Sequence, residues 1–264
     1  MGGVNNQFEA HIDGDMKLVR YDKNSQSDKA SYFDTLPHRT LFVASNEEMV
    51  NRVAELDIAA KTKSSDEARC GTTSWTAAMN STSSKKGLAE CGVQIGTCGH
   101  GCPQCAVPIY KSGEKFGHTY MLLEQYYKPK GVKIIHLDVA CRFQKTGYPG
   151  GENDWVTRVE KGLNIPPYAG SAGGDDRARE VVFCLPCWHS TGHMLHCGIL
   201  RNTRWYEGHG NADGEDGERT NWYLSLLSSN LKNTSAANWR TGITLGAIYV
   251  GDMKARSLAR QLSI

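Results

Sequence analysis

The sequence has no apolar run that approaches the roughly 20 residues of a membrane-spanning helix, and its first residues do not form the pattern of a secretory signal peptide. It also carries little net charge, because 30 basic residues against 28 acidic residues leave a total of +2 at pH 7. Such a balance does not by itself predict a nucleic-acid partner, although nucleases reach it when a local basic surface is offset by catalytic carboxylates. We therefore expect a soluble intracellular protein with no membrane partner.

A regular set of disulfides is also missing. The nine cysteines are odd in number and unevenly spaced, which is not typical of a secreted disulfide framework. We therefore expect reduced thiols, some of which can bind metal. The 264 residues and the hydrophobic fraction of 39% are enough for one large domain, or for one domain that carries an insertion.

Two stretches of the sequence have strand patterns. Residues 8–21 place apolar side chains at period two, and we expect the segment Asp13-Gly14-Asp15 to interrupt that strand as a bulge or bend. Residues 132–138 form the clearest buried strand, and it ends on an acid, which is where α/β sheets place chemistry. Helical spacing of apolar residues predicts helices over residues 46–61, 74–89, 116–127, 215–231 and 252–262.

Acidic residues stand at three widely separated positions in these elements. Asp13 lies within the first predicted strand, Asp138 ends the second, and Glu215 and Glu218 open a predicted helix near the end of the sequence. Converging carboxylates on two strands and a helix can hold two divalent ions roughly 3.5–4 Å apart, as two-metal phosphoryl transfer requires. The alternative from the residues alone is that Asp13 is a turn residue and that the two glutamates stabilise a helix start.

A segment near residue 190 combines cysteine and histidine at regular spacing. Three of its residues are spaced four and four, which would place them on one face of a helix: His189, His193 and Cys197. A zinc ion could bind there, with Cys141 or the Cys-x-x-Cys pair Cys184/Cys187 completing a tetrahedral set. The alternative is a cluster of buried inert thiols and packed histidines.

A second segment is similarly dense in cysteine and histidine. It contains a further Cys-x-x-Cys pair, and its members are Cys98, His100, Cys102 and Cys105. A metal site and a set of buried inert thiols are again the two interpretations.

Four motifs, in order, resemble those of one transposase family. Residues 138–143, Asp-Val-Ala-Cys-Arg-Phe, resemble the strand motif D-I/V-x-C-Q/R-F/W of the Kyakuja-Dileera-Zisupton (KDZ) transposases. Residues 189–197 match the family's H-x-x-x-H-x-x-x-C signature, and residues 208–222 match its G-x-G-x-x-D-G-E-x-x-E-R-x-W motif, with Trp222 one residue later than the family places it. Residues 13–20 resemble its first catalytic strand, D-G-N-F-x-L-x-R, and the likeness extends from about residue 7 to residue 239.

The resemblance implies an α/β fold, a ribonuclease H-like mixed sheet flanked by helices, with a Cys/His-rich insertion before the last catalytic helix. The first part of the core would span residues 1–145, the insertion 146–206, and the final catalytic helix with the C-terminal helices 207–264.

The resemblance also implies site residues. Asp13 and Asp138 correspond to the first two catalytic acids, which hold Mg²⁺ or Mn²⁺. The third is Glu218 or Glu215; Glu218 is favoured because related transposases place their glutamate just before an arginine and an aromatic. The members implied for a metal or packing cluster in the insertion are Cys141, His189, His193 and Cys197.

The implied function is that of a DNA transposase, which cleaves and transfers DNA strands by phosphoryl transfer. Its implied substrates are transposon ends and target DNA, its compartment is the nucleus, and its active form is a homo-oligomer. The alternative is a catalytically inactive, zinc-stabilised domain derived from a transposase, which binds DNA or protein. The three intact acids favour the enzyme, because a relic has no reason to retain all of them.

Overall fold

The strand patterns of the sequence form one mixed sheet. The computed structural model describes residues 9–22, 40–61, 87–143, 182–205 and 213–262. Within these residues the sheet has six strands: β1 Glu9–Asp15, β2 Arg20–Tyr21, β3 Leu88–Cys98, β4 Pro103–Tyr110, β5 Ile134–His136 and β6 Val182–Cys184.

β1 occupies the centre of this sheet. On one side it pairs antiparallel with β3, which pairs in turn with β4; on the other side it pairs parallel with β5, which pairs parallel with β6. The short strand β2 also pairs with β3. It lies along the same edge of β3 as β1 does, but at the other end of that strand. The predicted contact between the strands of residues 8–21 and 132–138 is confirmed by the pairing of Ala10 with Ile135.

The interruption of the first strand lies later than the sequence suggests. β1 continues through Asp13 and Asp15, and the break is the turn over residues 16–19. The prediction of a bulge at Asp13-Gly14-Asp15 is therefore wrong, because these residues pair in regular register with Ile95 and its neighbours on β3.

Helices cover both faces of the sheet. They are α1 Asn46–Lys61, α2 Phe116–Leu122, α3 Ala140–Phe143, α4 Cys187–Ser190, α5 Leu195–Arg201, α6 Asp216–Ser225, α7 Ser228–Leu231 and α8 Ala236–Leu262. α2 continues as a π-helical turn and a 3₁₀ turn to Lys130. Ser45 and Glu48 form a reciprocal capping box at the start of α1, which explains why that helix begins where the sequence predicts.

Three helix predictions need correction. The helix predicted over residues 74–89 is wrong at its end, because Leu88 and Ala89 belong to strand β3. Residues 74–86 lie outside the described residues. The one over residues 252–262 begins too late, because α8 starts at Ala236. The single helix expected over residues 189–197 is divided into α4 and α5 by a turn at residues 191–193.

Two apolar layers hold the sheet between the helices. Ala10 and Ile12 of β1 pack with residues of α1 and α2. On the other face, Val93 and Ile95 of β3 pack against Trp239 and other buried residues of α6, α7 and α8.

No helix in the described ranges is long and apolar enough to cross a membrane. Residues 146–181 are outside those ranges, and the boundaries of the predicted insertion stay a prediction.

Candidate active site

The parallel pairing of β1 with β5 brings the first two predicted acids to the same level of the sheet. The register pairs His11 with His136. Two residues further along each segment lie Asp13, inside β1, and Asp138, just beyond the end of β5. Parallel neighbours run in the same direction, so two residues at equal distance from a paired position lie side by side.

Asp13 is desolvated and lies within electrostatic reach of three other acids. Desolvation, followed by the negative charges of Asp138, Glu218 and Glu114, raises the pKa of the Asp13 carboxyl well above its usual range. The Asn221 side-chain amide donates to Asp13 Oδ2 at 2.8 Å, and the Gly14 backbone N–H donates to Oδ1 at 2.7 Å. The structure therefore brings together the three acids that the sequence singles out, with Asn221 as a partner that no sequence motif identifies.

A glycine in the first turn of α6 allows the third acid to approach. A Cβ atom on Gly217 would lie 3.2 Å from the Asp13 Cβ and 3.6 Å from the His11 Cβ. The start of α6 therefore packs directly on the backbone of β1, and Glu218 follows at the next position. Asp216 and Glu218 also lie where the positive end of the helix dipole stabilises negative charge.

His189 lies among the acids, which the sequence did not predict. Its Nε2 is 3.2 Å from Asp138 Oδ2 and 3.4 Å from Glu218 Oε1, while its Nδ1 is 3.2 Å from Glu215 Oε2. The hydrogen bonds to Glu215 and Glu218 raise the pKa of His189 to about 11, so its imidazole is protonated at neutral pH in the absence of metal.

The same contacts act differently on the carboxylates. The hydrogen bond from His189 lowers the pKa of Glu218. Desolvation raises the pKa of Asp138 to about 6, and the positive charge of His189 opposes that rise without cancelling it. A ligand atom from each of these three residues lies within 4.8 Å of the other two, a separation at which one metal ion can reach all of them.

Glu215 and Glu218 hold different positions around the His189 ring. Glu215 is the N-cap residue of α6, and its Oε1 accepts a hydrogen bond of 2.7 Å from the Trp188 backbone N–H. Its other oxygen faces Nδ1, whereas Glu218 and Asp138 face Nε2. Glu215 is therefore tied to α4 and the far side of the ring.

The glycine-rich motif before α6 has a steric basis. Gly214 has φ +79°, a left-handed conformation that other residues rarely adopt. A Cβ atom there would lie 2.6 Å from His136 Nδ1. The His11 ring donates from Nδ1 to the Gly214 carbonyl at 2.8 Å, and Arg219 forms ion pairs with Asp213 across the same turn. The turn is therefore packed onto β1 and β5, and it fixes the start of α6.

His189, Glu215 and Glu218 open onto a cleft of about 480 Å³. Trp188 stands at its rim with 78% of its surface exposed. The cleft is lined by Cys187, Trp188, His189, Asp213, Glu215, Glu218 and Arg219.

Behind Asp138 lies a separate group of two cysteines and a histidine. Cys141 on α3 and Cys197 on α5 are buried, and their Sγ atoms and a ring nitrogen of His193 lie within 4.8 Å of one another. His193 Nδ1 is 3.4 Å from Cys141 Sγ, and its Nε2 is 2.9 Å from the Asp138 carbonyl oxygen. Because a carbonyl only accepts, Nε2 donates to it, and Nδ1 is the nitrogen that faces the Cys141 thiol.

The other residues expected in that cluster lie elsewhere. The turn at residues 191–193 separates His189 from the group and directs it to the acids. Cys184 is buried in β6, and Cys187 Sγ lies 3.1 Å from Thr203 Oγ1; neither belongs to the group around His193. Of the two options for completing the zinc set, the structure brings in Cys141 and not the Cys184/Cys187 pair.

The segment at residues 98–105 brings only some of its members together. Cys98 Sγ is 4.0 Å from His100 Nδ1 and interacts with the thiol of Cys102, which also faces the Gly251 carbonyl at 3.9 Å. Cys105 is fully buried, and burial raises the pKa of its thiol to about 12. None of these residues belongs to a metal-ligand group of three among the described side chains, which favours the interpretation as packed thiols.

Comparison with known proteins agrees with the motif order. The family model of the Kyakuja-Dileera-Zisupton transposase matches residues 7–246, which is most of the chain. No curated protein and no solved structure matches.

Proposed function

The chain belongs to the Kyakuja-Dileera-Zisupton transposase family, and from that premise we propose that it is a catalytic core that cleaves and joins DNA strands by two-metal phosphoryl transfer. The observation that carries the proposal is that Asp138 and Glu218 offer carboxylate oxygens close enough to share one ion, while Asp13, on the adjacent strand, lies within electrostatic range of both. Membership in a transposase family implies DNA as the substrate.

The donor set fits hard divalent cations. Mg²⁺ and Mn²⁺ favour carboxylate oxygens, and the three acids supply them at one place. Bound ions would activate the attacking water or 3′-hydroxyl and stabilise the leaving oxygen. The chain's own residues prepare this site: Asn221 and the Gly14 N–H orient Asp13, and the packing of Gly217 on β1 sets the distance of Glu218 from the sheet.

The sheet supports a ribonuclease H-like core as part of this proposal. On one side of the central strand β1 lies the antiparallel strand β3, followed by β4, which is antiparallel to β3; on the other side lie two strands parallel to β1, β5 and then β6. That order is expected of a ribonuclease H-like sheet. Asp13 lies on β1 and Asp138 follows the adjacent parallel strand β5, while Glu218 lies on α6, which packs on β1 and β3.

The group of Cys141, His193 and Cys197 is proposed to hold a structural zinc ion. Tetrahedral ligands at about 2.1–2.3 Å from zinc lie roughly 3.5 Å apart, and the Cys141 Sγ to His193 Nδ1 distance is 3.4 Å. Through the His193 hydrogen bond to the Asp138 carbonyl, such an ion would hold a catalytic acid in place. Purified protein should contain one equivalent of zinc, and Cys141→Ser should lose it. Protein without zinc would favour a packing cluster.

A second candidate is the inactive, zinc-stabilised relic that binds DNA or protein. The observation in its favour is that His189 pairs with Asp138 and Glu218 and so neutralises the acids without any metal. The two candidates differ in whether DNA is cut.

Nicking of supercoiled plasmid by the full chain in Mg²⁺ or Mn²⁺ is the test. Asp13→Asn, Asp138→Asn and Glu218→Gln should abolish it, because each removes a ligand charge and keeps the side-chain shape. Glu215→Gln should retain part of the activity. Asp252→Asn is the matched control, since this carboxylate lies exposed on α8. A parent that never cleaves, or acid variants that cleave like the parent, would support the relic.

The proposal extends to the setting of the reaction. Transposon ends and target DNA would be the substrates, the nucleus the compartment, and a homo-oligomer the active form. The exposed cleft and the indole at its rim suit a polymer that approaches from solvent.

A further inference from the structure

We propose that His189 is itself a ligand of the catalytic metal, oriented by Glu215, and that its nitrogen makes the site prefer a transition metal such as Mn²⁺ over Mg²⁺. This rests on the proposed function only in taking Asp138 and Glu218 as metal ligands. It assigns His189 to the acid site and gives Glu215 a role other than that of third acid.

The separations around His189 are those of ligands to one ion. Neighbouring ligands of an octahedral ion, each at about 2.1 Å from it, lie about 3 Å apart. Nε2 lies 3.2 Å from Asp138 Oδ2 and 3.4 Å from Glu218 Oε1. Only small side-chain movements would therefore let an ion bind all three atoms.

Glu215 supplies the support that a ligating histidine needs. Such histidines donate their other ring N–H to a carboxylate or carbonyl, which fixes the tautomer and the ring orientation. Glu215 Oε2 is 3.2 Å from Nδ1, and Oε1 is anchored by the Trp188 backbone N–H at 2.7 Å. With Nδ1–H held by Glu215, it is Nε2 that would release its proton to solvent when a metal binds, and its lone pair would then point to the side of the ring where Asp138 and Glu218 lie.

The nitrogen ligand decides the metal preference. Mg²⁺ selects oxygen ligands and loses its waters reluctantly, whereas imidazole is a common ligand of first-row transition metals. A site with one imidazole and two carboxylates therefore gains more affinity for Mn²⁺ than for Mg²⁺. An all-carboxylate site would lack this difference.

The direct test is pulsed electron paramagnetic resonance on the full chain with bound Mn²⁺. Nitrogen modulation from a coordinated imidazole is expected in the parent and should vanish in His189→Gln. In titrations, His189→Gln should lower the ratio of Mn²⁺ to Mg²⁺ affinity by about tenfold or more, and Glu215→Gln should weaken Mn²⁺ binding by about 10- to 100-fold. His100→Gln is the matched control, because His100 is exposed and belongs to neither metal-ligand group among the described side chains.

The outcomes separate this inference from the proposed function. If the parent binds Mn²⁺ with no nitrogen coupling, or if His189→Gln keeps the parent's metal preference, the inference is wrong while the carboxylate site stands. If Asp138→Asn and Glu218→Gln bind Mn²⁺ as tightly as the parent, the proposed function itself fails. The measurement on the parent needs no variant, so an absence of nitrogen coupling there overturns the inference even if His189→Gln misfolds.

Discussion

Asp138→Asn should make the metal-free protein more stable while removing its metal binding. Asp138 is partly desolvated and shares the site with Glu218 and Glu215, so its charged form is disfavoured in the folded state. Asparagine keeps the shape and removes the charge. A gain in stability from the loss of a site residue is typical of sites built for function and not for folding.

The magnitude follows from the pKa of Asp138, which rises from 3.8 to about 6 on folding. Each pKa unit corresponds to about 1.36 kcal/mol, which gives roughly 3 kcal/mol as the full penalty on the charged form. The side chain is 31% exposed, so solvent screening reduces the expected gain to about 1–2 kcal/mol. With a urea m-value of about 3 kcal/mol/M, the midpoint should rise by about 0.3–0.7 M.

The pH dependence has a definite sign. Because the folded pKa of Asp138 lies above the unfolded one, its contribution to stability is fully present below pH 3.8 and is lost as the pH rises through about 6. The advantage of the variant should therefore be complete above pH 6 and vanish near pH 4. Metal at 100 times its dissociation constant should add about 2.7 kcal/mol to the parent alone and reverse the order.

Urea denaturation with a chelator, at pH 7.5 and again near pH 4, measures both effects. Asp252→Asn serves as the control; its carboxylate lies exposed in a surface ion pair, and its midpoint should shift little. The reasoning is refuted if Asp138→Asn is less stable than the parent at pH 7.5 in chelator, or if its advantage is the same at both pH values.

Three further predictions concern other parts of the chain. Arg20→Met should cost about 3–5 kcal/mol of unfolding free energy by denaturation, since it leaves the buried carboxylate of Glu90 without its partner at 2.5 Å; an effect below 1 kcal/mol would contradict this. Gly214→Ala should destabilise the protein by about 1–3 kcal/mol and weaken metal binding by calorimetry, because it strains φ and would contact His136. Trp188→Ala should leave the melting temperature unchanged and weaken DNA binding by fluorescence anisotropy roughly 5- to 150-fold if its exposed indole stacks on a base; unchanged affinity would exclude that contact.

The sequence contained more information on the helices than its patterns first suggested. In α8, Trp239, Ile243, Ala247 and Val250 are spaced at helical intervals and pack against the sheet. The same apolar spacing is present upstream of residue 252, so the true extent of this helix is a local feature of the sequence.

His189 shows where local pattern fails. Its spacing from His193 and Cys197 predicts one helix face, but the turn at residues 191–193 breaks that helix. Its actual neighbours, Asp138 and Glu215, lie 51 and 26 positions away. Nothing in the spacing around residue 189 indicates either of them.

By itself, the sequence determined the elements whose residues repeat at a regular interval and the motifs that lie within a few positions. This class includes the period-two strand at residues 8–21, the apolar strand at 132–138 and the acids of the last motif. A strand or helix that buries one face has apolar residues at a regular spacing, and this spacing can be read from the sequence. Only the tertiary structure decided which acids meet and what stands among them. The bond from Asn221 to Asp13 spans 208 positions, and the packing of Gly217 on β1 depends equally on folding. Contacts of that range are selected by the shape of the whole core and not by local repeats, so the places of Asn221 and His189 beside the acids could not be predicted from local patterns.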